Sequence, residues 1–200
     1  PLYTAALSGK EEAVRFLIAN GASGNKANKN GNTVLHAAVW GGAIEVVDLL
    51  LVDCDDINQA NFDDETLLHI AASTGNEEIA RELLRRGAES KRADEGGNSV
   101  IHAAAYGGLE ELVKLLITEG AEVNQENKDG ATPLHVAAYR GKAEVVKVLL
   151  DRDAKIEGFN SLGNAVLHEA ACGGSVDVAG ILLEHVDVNQ INAHGSTPLH

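Results

Sequence analysis

Six of the chain's eight histidines recur at a nearly fixed interval. His36, His69, His102, His135 and His168 follow one another at steps of 33 residues, and His200 comes 32 later. One more step back from His36 lands on Tyr3. Histidine ligates metals and moves protons, so a row of six invites a chemical reading. The geometry of a row argues against it. Equivalent positions in stacked helical layers advance by roughly 8–10 Å, whereas metal ligands converge within about 2.1 Å of one ion. His36 also stands three residues after Thr33, a candidate N-cap, where its ring can bond near the helix start. The acidic residues set no carboxylate pair against a nucleophile, and the glycines form no phosphate loop. Asp53, Asp55, Asp56, Asp63, Asp64 and Glu65 make an acidic edge whose spacing fits no calcium loop. The expectation is a chain with no catalytic residue, no metal and no cofactor.

What positions these residues must itself repeat. A fixed period along the whole chain means a stacked array rather than one globular fold. Within Asn127 to Phe159, Lys128-Asp129-Gly130 is a turn, with Gly130 free to take positive φ. Thr132 reads as an N-cap and Pro133 as the first helical residue. Leu134, Ala137 and Ala138 form a small apolar face, and Gly141 stops the helix. Glu144 to Leu150 begins a second helix with an acid in front and an apolar stripe. Lys155 to Gly158 is a short extended link. Helices of about nine residues are unstable alone, so the next repeat must cover Leu149 and Leu150. Gly-Gly pairs at 41–42, 107–108 and 173–174 recur as helix stops.

Bulk properties agree. Hydrophobic residues are 44% of the chain and aromatics only 4%, so the core is aliphatic. The net charge of −14 disfavours nucleic acid and permits a basic protein partner. Arg81, Arg85, Arg86, Lys91 and Arg92 are the one basic cluster, with Arg85 and Arg86 placed to offset a helix dipole. Cys54 and Cys172 lie more than three repeats apart and form no disulfide framework, which favours an intracellular, cytoplasmic location. There is no run of 18 apolar residues. The chain has no methionine and both ends fall inside a repeat phrase, so it reads as a piece of a longer protein.

These features resemble the ankyrin repeat over the full 200 residues. The resemblance rests on the period, on Thr132-Pro133-Leu134-His135-Val136-Ala137, on Glu144 to Leu150, and on Gly120-Ala121-Glu122-Val123-Asn124. It implies an all-α repeat solenoid: a β-turn plus two antiparallel helices per 33-residue repeat, stacked with a concave face. One domain, 1–200, then holds phases at 1–27, 28–60, 61–93, 94–126, 127–159 and 160–191, with another starting at 192–200. The family implies a non-catalytic protein-binding scaffold; the chain is expected to be monomeric and not inserted in a membrane. The alternative is a targeting or regulatory segment of a larger enzyme, channel or toxin. A mainly mechanical spacing role is a third possibility.

The resemblance also places a binding surface on the first helices and hairpin tips. The slot after each Ala-Ala holds Leu7, Trp40, Ser73, Tyr106, Tyr139 and Cys172. Three of seven aromatics fall in that slot, and such rings dominate binding hot spots. Trp40, Tyr106 and Tyr139 therefore read as a ladder, interrupted by a pocket at Ser73. Arg140, beside Tyr139, is placed to pair with a partner carboxylate. The following slot is mostly small, which is expected to leave the rings accessible. Phe62, Asp63, Lys128 and Asp129 at the tips complete the candidate set. Phe62 and Phe159 are either anchors or folded onto the adjacent hairpin. Departures from the pattern gather toward the C-terminal end. Asp153 and Cys54 replace a helix-ending glycine, Ala165 replaces an N-cap threonine, Gly180 lies in a helix, and one residue is missing before Val186. Asn58, Asn124 and Asn189 occupy a site hydroxylated in some family members. A bond across the hairpin is the structural alternative there.

Overall fold

The computed structural model describes all residues, 1–200. It holds twelve α-helices and no strand, with an isolated antiparallel bridge between Ala60 and Thr66. Contacts divide the chain into two compact units, Pro1–Glu95 and Gly96–His200.

The first unit contains α1 (Leu2–Leu7), α2 (Glu11–Ala19), α3 (Val34–Trp40), α4 (Ile44–Leu51), α5 (Leu67–Ser73) and α6 (Glu77–Arg85). The second contains α7 (Val100–Gly107), α8 (Glu110–Thr118), α9 (Pro133–Tyr139), α10 (Ala143–Asp151), α11 (Val166–Cys172) and α12 (Val176–Leu182). Odd-numbered helices open each repeat; within each unit consecutive odd-numbered helices pack on one another, and so do consecutive even-numbered ones. This is a solenoid of helix pairs. Its core is the aliphatic one the composition requires: Leu67, Leu68, Ile70, Ile79 and Leu83 in the first unit, and Ile101, Leu112, Leu116, Leu134 and Leu149 in the second, are fully buried.

Local chemistry explains the helix starts. The backbone N–H groups of Thr33, Thr66, Ser99 and Thr132 donate to Nδ1 of His36, His69, His102 and His135, three residues on. The cap hydroxyls lie 2.8–3.0 Å from the same nitrogens. Histidine thus stands where a capping box has Glu or Gln. An Nδ1 that accepts requires the proton on Nε2, and His102 Nε2 lies 3.1 Å from the Ala131 carbonyl of the next repeat. His168 reaches the Ser196 carbonyl the same way, at 2.9 Å. The rings of His36, His69, His102 and His135 are caps with their Nδ1 lone pairs committed, and those of His102 and His168 are inter-repeat struts.

Helix ends are equally local. Gly21, Gly87 and Gly120 have φ of 87°, 93° and 89°, and Asp153 keeps that left-handed turn at 62°. The residue after each, from Ala22 to Ala154, donates five residues back and closes the helix. Cys54 departs from this pattern, because its φ is not positive. There α4 stops at Leu51, Val52 stays in the right-handed region, and Cys54 Sγ bonds the Asp56 carbonyl at 3.3 Å. Asp64 takes positive φ (58°) in the tip slot where Gly31, Gly97, Gly130 and Gly163 stand elsewhere. A non-glycine residue rarely adopts that conformation, so Asp64 is strained.

Candidate protein-binding surface

The hairpin tips are held by side chains that sequence reasoning missed. Asn28, Asn61, Asn127, Asn160 and Asn192 each accept two backbone N–H bonds with one Oδ1, from residues two and four positions on. Adjacent tips are then stitched through the backbone. In the first unit Phe62 N donates to Asn30 O and Glu95 N to Asp63 O. In the second, Lys128 N donates to Gly96 O, Ser161 N to Asp129 O and Ala193 N to Gly163 O. The signal for these asparagines was present in the sequence, as an Asn at nearly the histidine period.

This scaffold leaves the tip side chains outside. Asp63, Lys128 and Asp129 are exposed. Phe62 is 72% exposed, although its ring lies beside Gly31, so it folds back only in part. Phe159 is 51% exposed.

At the ends of the first helices, Trp40 is 54% exposed in the first unit, with Ser73 half-buried in the same slot one repeat on. In the second unit Tyr106 is 43% and Tyr139 50% exposed. The small residues in the following slot have a different cause from the one expected. A Cβ at Gly41 would collide with the Leu7 carbonyl, and one at Gly173 with the Tyr139 carbonyl. Glycine is there because neighbouring first helices approach that closely. Arg140 extends to the preceding repeat. Its guanidinium lies over the ring of Tyr106, 4.1 Å from the centroid, and not on its neighbour Tyr139.

Electrostatics elsewhere are structural. Glu82 binds Arg85 and Arg86, Glu77 binds Arg81, and Arg86 reaches Asp48. The two arginines hold the Glu82 carboxyl down at about 2. Arg81, Arg85 and Arg86 are thus occupied by ion pairs, and Arg92 donates to the Asn58 carbonyl. Burial pushes His36 down to about 4, and its Nε2 finds no acceptor. Burial also lowers His135, opposed by the nearby Glu169 charge, the Asn164 backbone and Glu126. Glu169 is a buried acid on α11, and its Oε1 accepts from Asn160 and Asn164. Asn61, Asn127 and Asn192 instead donate to an asparagine of the preceding repeat. For Asn160 that partner position is Ala131, so Glu169 substitutes. Asn58 and Asn124 bond to the corresponding loop of the next repeat rather than across their own hairpin, accepting from the backbone N–H of Glu89 and Lys155. Asn189 is exposed, and its own N–H donates to Asp187.

Models of ankyrin repeats match residues 52–127, 68–160 and 101–192 in the three-copy form and residues 2–51 in the many-copy form. The chain belongs to the ankyrin repeat family. Among solved structures it matches the human ASB11 ankyrin repeat domain at 28% identity and a TM-score of 0.83, over 100% of this chain and 90% of that one. No curated protein matches the chain. Ankyrin repeats are generally protein–protein interaction modules, and the fold is known as a non-enzymatic scaffold. No helix is long and apolar enough to cross a membrane.

Proposed function

We propose that this ankyrin chain is a non-catalytic scaffold that binds a protein or peptide partner through the ends of its first helices and its hairpin tips, the concave face in this family. We treat 1–200 as one ankyrin domain, monomeric. The observation that carries the reading is the exposure of Trp40, Tyr106 and Tyr139 at one repeat slot. Large rings held half out of the fold by short, well-capped helices are the usual anchors of binding energy. Ser73, Arg140, Phe62, Asp63, Lys128 and Asp129 complete the surface. The net charge of −14 favours a partner that is basic overall. Both cysteines are free thiols, which supports an intracellular, cytoplasmic location.

The test compares the native chain with a Trp40→Ala, Tyr106→Ala, Tyr139→Ala triple variant, each immobilised in native extract and read by quantitative mass spectrometry. The expected result is a set of bound proteins lost from the variant while its melting temperature is retained. Equal capture by both would place binding elsewhere. A single Tyr106→Ala or Tyr139→Ala change is expected to weaken the partner by about 2 kcal/mol if that ring is a hot spot.

A further inference from the structure

We propose that Arg140, held on the ring of Tyr106, is a clamp for a carboxylate. The segment that docks on the second unit then carries an Asp or Glu side chain at that point. This rests on the protein-binding function proposed above and names the chemistry of one contact within it.

Arg140 is unusual in its slot, which otherwise holds Ser8, Gly41, Thr74, Gly107 and Gly173. It is the C-cap of α9, and it reaches one repeat back to the last turn of α7. Arg15, Arg81, Arg85 and Arg86 are paired with carboxylates of their own or a neighbouring helix. Arg140 is exposed and forms no ion pair within the chain. Its guanidinium rests instead on the flat face of a tyrosine. Stacking of this kind consumes the guanidinium face and leaves the in-plane N–H donors pointing past the ring edge. The matching acceptor for that fork is a planar carboxylate, bound by two parallel hydrogen bonds. The ring also fixes the orientation before binding, so less side-chain freedom remains to be lost.

A second cation stands close by. The Lys142 stem passes so near Gly108 that a methyl there would lie 2.8 Å from Lys142 Cδ. Two positive charges therefore gather at the end of α7 in a protein of net charge −14. The helix C-terminus attracts both, which accounts for their position but leaves the donors of Arg140 open. Tyr139, half exposed, supplies apolar surface next to the charge. The global charge favours a basic partner, whereas this spot selects an acid within it.

The experiment selects a random 12-residue peptide library, displayed on phage, against the full chain. Enriched peptides are then synthesised and titrated by fluorescence polarisation against the native chain, R140Q, R140K, Y106L and the triple aromatic variant. The expected peptides share an Asp or Glu at one aligned position. R140Q weakens them about tenfold or more, and R140K weakens them too, since lysine keeps the charge but not the fork. Amidating that acid costs affinity on the native chain and little on R140Q. A purely structural Arg140 would not produce that coupling. Peptides without a shared acid, or an acid whose amidation costs as much on R140Q as on the native chain, overturn the clamp. Binding that is still lost in the triple variant would in that case leave the scaffold function standing. An empty selection, or peptides that bind the triple variant equally well, counts against both.

Discussion

Ala165 shows what one missing hydroxyl does. It replaces the capping Thr or Ser, and His168 Nδ1 is left buried without a partner. An unsatisfied buried acceptor and a lost cap both cost free energy. Ala165→Thr is expected to stabilise the chain by about 1 kcal/mol, read as a shift in the denaturant midpoint; no gain would mean the site cannot accept the larger side chain. Asp153 and Cys54 form a contrasting pair. Asp153→Gly relieves a positive φ and is expected to add about 1 kcal/mol, while Cys54→Gly adds nothing, because no left-handed turn exists there. Equal gains at both would contradict the backbone described above. His36 supplies a pH dependence. Its pKa falls from 6.5 unfolded to about 4 folded, so the unfolded chain binds the proton more readily and stability rises with pH. The contribution is fully present above about pH 6.5 and is lost as pH falls toward 4. His36→Gln keeps a capping side chain and is expected to flatten that slope in denaturant titrations from pH 7 to 4; an unchanged slope would assign it to other groups.

At the scale of elements, the decisive feature is how closely first helices approach. Gly41 and Gly173 sit against carbonyls of the preceding helix, so their glycines are packing requirements rather than mere stops. Gly173→Ala is expected to cost about 1–3 kcal/mol as α9 and α11 are forced apart. Tyr139→Ala, which truncates a half-exposed ring, is expected to cost much less. Thermal unfolding of the two variants checks the order, and the reverse ranking would mean that Tyr139 is core. For comparison, emptying the fully buried Leu134 site with alanine belongs to the range of about 2–5 kcal/mol.

Across the whole molecule, stability is expected to be uneven. In α8 Leu112, Val113 and Leu116 are buried, whereas α12 buries only Val178 and Leu182 and carries Gly180 in its interior. The repeat holding α12 also contains the orphaned His168 nitrogen and follows the strained Asp153. Repeat arrays lose weak segments first, since each repeat is held only by its neighbours. Amide exchange at Leu182 and Leu183 is expected to be faster than at Leu115 and Leu116. Slower exchange at the former pair would refute uneven stability in that direction.

The repeat period, the helix starts and stops, the histidine caps and the aliphatic core were legible in the sequence. Each depends on residues three to five apart, or on a pattern that recurs every 33 residues. The candidate rings were legible too, because a slot is a counting argument. Other features were settled only by tertiary structure. Arg140 on Tyr106, Glu169 serving Asn160 and Asn164, and tip bonded to tip all join residues of different elements. So does the glycine at Gly173 facing the Tyr139 carbonyl. The loss of the left-handed turn at Cys54 is local, yet it followed from α4 ending one residue early, which no residue type announces. Repeat length specifies which slots face one another, but the separation of adjacent helices depends on how their side chains fill the space between them. That separation decides whether an arginine lies along a ring, and it is a property of the packed repeats rather than of any one of them.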